Sequence, residues 1–195
     1  MDVGDQGDQL LLAQLRDGPK PASFVVRGTT ATSRLELTSK ASSYDEYRGA
    51  LRLRTSAATP TVTVVNELPL EMYLRGVVPV EMPSSWPTEA LKAQAIASRS
   101  YAARRLRPGV SYYDVTDDTS SQVYRGALGE KATTNAILAA EPGVVLRSGS
   151  AIANTLFHST GGGATENNEN VYVSSTGARV AGAVRPLAST HAPAV

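Results

Sequence analysis

The chain has 195 residues, of which 42% are apolar and 19% are charged, an ordinary composition for a globular protein. Its net charge is +1, which gives no electrostatic reason to expect nucleic acid as a partner. It contains no cysteine, and this excludes disulfides and thiolate metal sites. No stretch approaches the roughly 20 apolar residues of a membrane helix, and the acidic start does not resemble a signal peptide.

The N-terminal part of the chain has a β-like pattern after a polar start. Residues 1–21 combine Asp, Gly and Pro with one short apolar run, which predicts a flexible leader. Four short β-branched or alternating segments follow, and each is predicted to be a strand: Phe24–Val26, Leu35–Leu37, Leu51–Arg54 and Val62–Val65. We predict a turn at Tyr47–Gly49 and a small β subdomain over residues 23–66.

A helical period replaces this pattern after residue 67. A short helix should start near Pro69 and end near Gly76, and Pro79 and Pro83 exclude a continuous helix beyond it. A long helix is predicted from Ser84–Pro87 to about Arg105. Small residues form two adjacent stripes along it, so it should be central and buried: Ala90, Ala93, Ala97 and Tyr101, then Leu91, Ala95, Ser98 and Ala102.

The C-terminal third predicts fewer elements. We expect a helix from about Glu130 to Ala140, a Pro142-Gly143 turn, and strands at Val144–Leu146 and Ala151–His158. Residues 174–195 are rich in small and turn-forming residues, which predicts a loosely ordered tail. The predicted fold class is therefore α+β, a mixed β-rich domain around a buried, alanine-faced central helix.

Three polar segments are candidates for chemistry. Glu81 is a lone carboxylate among prolines and apolar residues, and desolvation of such a group favours the protonated form that a general acid needs. An ordinary surface glutamate in a Pro-rich loop explains the same composition. The segment 114–124 is dense in Asp and Thr, which could bind a hard cation, but it lacks the spacing of a calcium loop, and a hydrogen-bonded loop is the better interpretation.

The third segment is 158–167, where a histidine precedes a glycine run. It lacks the Lys-Ser/Thr ending of a phosphate-binding loop. His158 and Ser159 are adjacent, and neighbouring residues on a strand point to opposite faces, so they do not form a nucleophile pair. The pattern favours a polar substrate-binding loop.

These residues carry a resemblance to a known family. The run from Leu68 to Pro83 (LPLEMYLRGVVPVEMP) resembles the opening signature of the SpoIID/LytB family, and WPTEALKAQAIASRSYA from Trp86 continues it. Gln122-Val123-Tyr124 and the segment 157–167 are similar to two further family blocks in the expected order. The resemblance covers roughly residues 45–172, and residues 22–173 are therefore identified as a SpoIID-like catalytic domain.

The resemblance implies a lytic transglycosylase that cleaves peptidoglycan glycan strands, typically strands without stem peptides. Glu81 stands at the family's catalytic acid, which reverses the preference for a surface glutamate. The other matching positions are assigned to substrate binding or its support: Gln94, Arg99, Tyr101, Gln122, Tyr124, His158, Ser159, Thr160, Gly162, Gly163, Thr165, Glu166 and Asn167. Gln94 and Arg99 could instead hold the Glu81 loop, and a core role suits Tyr101 better than stacking on substrate.

The departures from the family also predict something. Some members bind a metal through Cys and His before the Gln-Val-Tyr block, where this chain has Thr116, Ser120 and Ser121. A second family histidine is replaced by Ala164. We therefore expect no zinc and no other cofactor. The expected partners are glycan strands and, as an alternative function, a cell-wall amidase that the protein would modify without cutting glycan. The implied location is extracytoplasmic.

Overall fold

The computed structural model describes residues 23–40, 43–55 and 61–158. The predicted leader and the predicted tail lie outside these residues. Helices and strands both occur in the described part, which confirms the predicted α+β class. The boundaries proposed for the domain and for a β subdomain stay predictions.

Short antiparallel strands make up the N-terminal part. The strands of the described chain are β1 Ser23–Arg27, β2 Leu35–Glu36, β3 Glu46–Tyr47, β4 Ala50–Thr55, β5 Val62–Glu67, β6 Arg147–Ser148 and β7 Ala151–Ile152. The order β1-β4-β5 forms a three-stranded antiparallel sheet, while β2-β3 and β6-β7 are two-stranded pairs. Leu51 and Leu53 alternate along β4 and are both buried, so one face of this sheet meets the rest of the core.

The turn into β4 depends on a glycine. Gly49 has φ of +79°, in the left-handed region that glycine adopts without strain. A Cβ at this position would lie 2.4 Å from the carbonyl oxygen of Glu67 on β5. The predicted turn is therefore present at residues 48–49, while Tyr47 belongs to strand β3, and Gly49 allows β4 and the end of β5 to pair closely.

Four α-helices follow the described strands β1–β5: α1 Leu70–Arg75, α2 Val78–Glu81, α3 Thr88–Arg105 and α4 Ala132–Ala140. A 3-10 helix, Gly126–Gly129, precedes α4. The predicted interruption after Gly76 is present, but Pro79 lies inside the one-turn helix α2. A proline is tolerated there because the first-turn N–H groups have no partner within the helix.

The central helix α3 is buried along one of the two predicted stripes. Leu91, Ala95, Ser98 and Ala102 are all buried, as expected for a stripe of small residues that admits a neighbouring element. The prediction that the other stripe is buried is wrong in part, because Ala93 is exposed. The larger Gln94 and Arg99 of α3 are buried as well, since each has hydrogen-bond partners inside the protein.

One hydrophobic cluster joins the sheet to the helices. Leu51 and Leu53 of β4 belong to the same cluster as Leu74 of α1 and Leu91 of α3. Val77, between α1 and α2, belongs to this cluster as well. Burying a side chain of this kind contributes roughly 1.5–3 kcal/mol, so the junction is a major source of stability.

Among the described residues, no helix is long and apolar enough to cross a membrane.

Two predicted C-terminal strands differ from the structure. Residues Val144–Leu146 are not a strand, because Val144 O accepts a hydrogen bond from Arg99 and Leu146 N donates one to Ser100 Oγ of α3. The strand β6 begins only at Arg147. The strand predicted over Ala151–His158 shortens to Ala151–Ile152, and beyond it Thr155 Oγ1 donates to Ala97 O of α3 at 2.7 Å. Bonds to α3 thus replace a strand ladder.

Candidate functional site

Glu81 lies at the end of the one-turn helix α2. The helix is anchored by Val77 and Val78, both fully buried, while Glu81 remains partly exposed. Met82 then adopts an extended conformation, φ −139° and ψ 129°, as expected for a residue that precedes a proline. The buried valines and the following proline therefore fix the point at which the Glu81 side chain leaves the backbone.

One oxygen of the Glu81 carboxyl has a defined partner. Val123 N donates a hydrogen bond to Glu81 Oε1 at 2.8 Å, which joins the predicted acid to the Gln-Val-Tyr block. Among the described residues, Oε2 has no hydrogen-bond or ion-pair partner. The carboxyl is thus held at one oxygen and left open at the other.

A buried polar network lies beside this contact. Gln122 is 1% exposed, accepts a bond from Tyr73 Oη at 3.4 Å and donates one to Ser98 O at 3.4 Å. Gln94 Nε2 donates to Ser98 Oγ at 3.0 Å, so the predicted site residues Gln94 and Gln122 meet at Ser98. Burial raises the pKa of Tyr73 above its ordinary value, and the neighbouring Tyr101 and Glu81 add to this shift.

Tyr124 closes the other side of the Gln-Val-Tyr block. Its ring lies 5.1 Å from that of Tyr73, and its hydroxyl donates to Asn66 Oδ1 at 2.9 Å. Gly76 makes room for this ring, because a Cβ there would lie 2.6 Å from Tyr124 Cε2. The structure therefore places Tyr124 as a buried support and not as an exposed contact surface.

Arg99 is engaged elsewhere in the core. It is 1% exposed, and its guanidinium donates to both oxygens of Glu71, at 2.7 and 2.9 Å, and to Val144 O at 3.0 Å. Gly143 N also donates to Glu71 Oε1 at 3.0 Å. Although burial works in the opposite direction, these donors lower the pKa of Glu71 overall. Arg99 thus ties α1, α3 and the Pro142-Gly143 turn together, and it does not contact Glu81.

Tyr101 connects the network to the start of the third predicted segment. It is buried, the Arg105 guanidinium lies 3.3 Å from its ring centroid, and Phe157 meets its edge with centroids 6.4 Å apart. Tyr101 is therefore packed inside the protein, and its assignment to the core in preference to substrate stacking stays a prediction. His158 follows Phe157 and is exposed, with no hydrogen-bond or ion-pair partner among the described residues.

The rest of the third segment lies outside the described residues. This applies to Ser159, Thr160, Gly162, Gly163, Thr165, Glu166 and Asn167. Their assignment to a substrate-binding loop stays a prediction.

The segment 114–124 forms the hydrogen-bonded loop that was favoured over a cation site. Asp118 Oδ1 accepts bonds from Ser120 N and Thr116 Oγ1, both at 2.9 Å, and these donors lower the pKa of Asp118. Thr116 N donates to Ser121 Oγ at 3.2 Å. Within residues 23–40, 43–55 and 61–158, no three His, Cys, Asp or Glu side chains come together in a way that could hold a metal ion.

A cavity of about 940 Å³ lies beyond the tyrosine pair Tyr73 and Tyr124, which line it. Its walls also include β5, the loop 114–117 and the exposed Tyr112 and Tyr113. Glu81 does not line this cavity. The candidate site therefore consists of Glu81 and the hydrogen-bonded residues around it, and the cavity is not part of it.

Comparison with known proteins identifies the region that contains this arrangement. The family model described as SpoIID, Stage II sporulation protein, matches residues 58–147, which include Glu81, Val123 and every residue of the buried network. Residues 58–147 belong to the SpoIID family. The match runs from just before β5 to the start of β6, so the SpoIID region supplies the helices, while β1–β4 precede it.

Curated relatives agree with this assignment. The chain is 39% identical over 132 residues to an uncharacterized protein of Brachyspira hyodysenteriae, covering 65% of this chain and 34% of the relative. It is 38% identical over 102 residues to the amidase enhancer of Bacillus subtilis, covering 52% and 14%. It is 33% identical over 149 residues to stage II sporulation protein D of Bacillus subtilis, covering 65% and 43%. The chain thus spans less than half the length of these relatives. No solved structure matches.

Three functional groups were missed at the level of sequence. The amide of Val123 is a backbone group, and no residue type reveals it. Tyr73 lies inside the run that resembles the family signature but was assigned no role, although its hydroxyl bonds Gln122. Glu71 could have been found as the acidic residue nearest to Arg99 on a neighbouring predicted helix, but sequence spacing does not show which helix faces meet.

Proposed function

We propose that the protein is a lytic transglycosylase that cuts peptidoglycan glycan strands with Glu81 as its acid. The observation that supports this most directly is the half-held carboxyl: Oε1 is bonded to Val123 N, and Oε2 has no partner within the described part of the chain. A general acid must be fixed in position and still reach the atom that it protonates. Membership of residues 58–147 in the SpoIID family supports the same substrate class.

The reaction needs one carboxyl. Glu81 would give its proton to the oxygen between N-acetylmuramic acid and N-acetylglucosamine while the C1–O bond breaks and an oxocarbenium-like state forms. The resulting carboxylate would take the proton from the muramic C6 hydroxyl as its oxygen bonds C1, closing a 1,6-anhydro ring. Because the nucleophile belongs to the substrate, no paired second carboxylate is needed, unlike in ordinary glycosidases. This substrate lies outside the cytoplasm, so we place the protein there.

The test compares Glu81→Gln with the wild-type protein on glycan strands freed of stem peptides. Loss of correctly placed proton transfer should lower the rate by about 100- to 10,000-fold. The matched control is Glu89→Gln, in the first turn of α3, whose side chain is 83% exposed and bonds Lys92. Wild-type turnover by Glu81→Gln would refute the role of the acid.

A second candidate function comes from one relative. The Bacillus subtilis protein named amidase enhancer is 38% identical to this chain, which favours a modifier that stimulates a cell-wall amidase without cutting glycan. The two candidates separate when the protein is mixed with a cell-wall amidase and intact peptidoglycan. Stimulated release of stem peptides by Glu81→Gln, with no new glycan ends from either form, would favour the modifier.

A further inference from the structure

The hydrogen bond to Glu81 determines which carboxyl oxygen can carry the proton. A backbone amide can only donate, so Oε1, which lies 2.8 Å from Val123 N, must act as the acceptor. In a protonated carboxyl the carbonyl oxygen is the better acceptor, and the proton therefore resides on the other oxygen. The transferable proton of Glu81 belongs on Oε2, the oxygen without a partner among the described residues.

The amide of Val123 is itself held from both sides. On one side, the Gln122 side chain spans from Tyr73 of α1 to Ser98 of α3. On the other side, Tyr124 N donates to Asp117 O at 3.2 Å and its hydroxyl bonds Asn66. Val123 therefore has little freedom to rotate its N–H away from Glu81.

We propose that Gln122 is a positioning residue that directs the Val123 amide to Glu81 Oε1 and so keeps the acidic proton on Oε2. The inference rests on the proposed function, because it presumes that Glu81 is the acid. Its physical basis is that Gln122 is 1% exposed with one donor and one acceptor contact, which fixes the orientation of the backbone that follows it. Without this constraint the Glu81 carboxyl can turn, and its proton is no longer confined to the open oxygen.

The first measurement follows the amide itself and needs no activity. Hydrogen exchange of Val123 N–H is recorded by NMR in the wild type, in Glu81→Ala and in Gln122→Met, which keeps the side-chain volume. Loss of one hydrogen bond should speed Val123 exchange by about tenfold or more in both variants. The matched control is Thr134→Val, which removes the bond from a fully buried hydroxyl to Lys131 O in α4 and should leave Val123 exchange unchanged.

The second measurement separates positioning from general loosening. On stem-peptide-free glycan, kcat of Gln122→Met should fall by up to about 100-fold with KM unchanged, because a misplacement of about 1 Å can cost that much. Tyr73→Phe removes only one of the two Gln122 contacts, so its kcat should lie between that of the wild type and that of Gln122→Met. It also serves as the reporter should Gln122→Met fail to fold.

The outcomes distinguish this inference from the proposed function. Unchanged Val123 exchange in Gln122→Met, or in Tyr73→Phe should the first variant not fold, overturns the positioning role whatever the activity. Faster exchange with an unaltered kcat also overturns it, since the amide would then be irrelevant to the reaction. Wild-type turnover by Glu81→Gln, in contrast, removes the acid and the proposed function together.

Discussion

Two glutamates of the SpoIID region, ten residues apart, are treated in opposite ways by the fold. Glu71 accepts bonds from the Arg99 guanidinium and from Gly143 N, so both of its oxygens are occupied. Within residues 23–40, 43–55 and 61–158, Glu81 accepts one bond, from Val123 N, and its other oxygen has no partner. The role of a carboxylate therefore depends on how many of its acceptor positions the protein satisfies. A carboxylate whose oxygens are all bonded stabilises the fold and cannot readily exchange protons with a substrate.

The different roles of Glu71 and Glu81 can be tested by replacing each glutamate separately and measuring stability. Glu71→Ala leaves Arg99, 1% exposed, as an unpaired buried charge, and should lower the free energy of unfolding by about 3–5 kcal/mol. Glu81→Gln keeps an acceptor for Val123 N and should change it by less than about 1 kcal/mol. Urea unfolding of both variants checks this. A Glu81→Gln variant as unstable as Glu71→Ala would contradict the contrast.

Removing the other partner of the ion pair should cost less. Arg99→Met leaves Glu71, whose side chain is 37% exposed, with solvent and Gly143 N as partners. We therefore expect the free energy of unfolding to fall by about 1–3 kcal/mol, because the Glu71 carboxylate loses the hydrogen bonds from Arg99 but can still be solvated by water. The same urea unfolding measures it. Equal losses for Arg99→Met and Glu71→Ala would show that burial of the arginine is not what makes the pair costly to break.

Gly76 lies between Glu71 and Glu81 in the sequence and packs against Tyr124 of the Gln-Val-Tyr block. Its replacement tests how tightly that block is held. A Cβ at Gly76 would lie 2.6 Å from Tyr124 Cε2 and 2.7 Å from Gly126 O, so Gly76→Ala must displace the support of the Gln-Val-Tyr block. Overpacking of this kind costs about 1–3 kcal/mol. Thermal unfolding should show it, while Ala139→Ser at an exposed position of α4 should stay within about 0.5 kcal/mol. Wild-type stability of Gly76→Ala would mean that Tyr124 is loosely packed.

The smallest effect is a difference in pH dependence. The pKa of Glu71 is lowered in the folded protein, so its contribution to stability is present above its ordinary value of 4.5 and is lost as the pH falls through the lowered value. The stability difference between the wild type and Glu71→Gln should therefore shrink on acidification below about pH 4.5. Thr134→Val, which removes no titrating group, should keep the wild-type profile. A difference that grows on acidification would contradict the sign.

Sequence patterns anticipated α1, α3, α4 and most strands, because these elements depend on local periodicity and on prolines, but they did not predict the one-turn helix α2 or the strand β3. Pro83, for example, follows the extended Met82 at the end of α2, just after Glu81. The patterns failed at Val144–Leu146, where Arg99 and Ser100 take the backbone groups that a strand would use. The candidate site divided in the same way. Residue types indicated Glu81, whereas the Val123 amide and the Arg99–Glu71 pairing depend on which surfaces of distant segments meet.

The chemistry of the glycan ends produced by the wild-type protein tests the central claim most directly. Strands freed of stem peptides are digested with the purified protein, and the products are separated and weighed by mass spectrometry. We expect fragments that end in 1,6-anhydro-N-acetylmuramic acid, 18 mass units (one water) lighter than hydrolysis products. Fragments with ordinary reducing ends, or strands left uncut, would contradict a mechanism in which Glu81 transfers the proton and the substrate supplies the nucleophile.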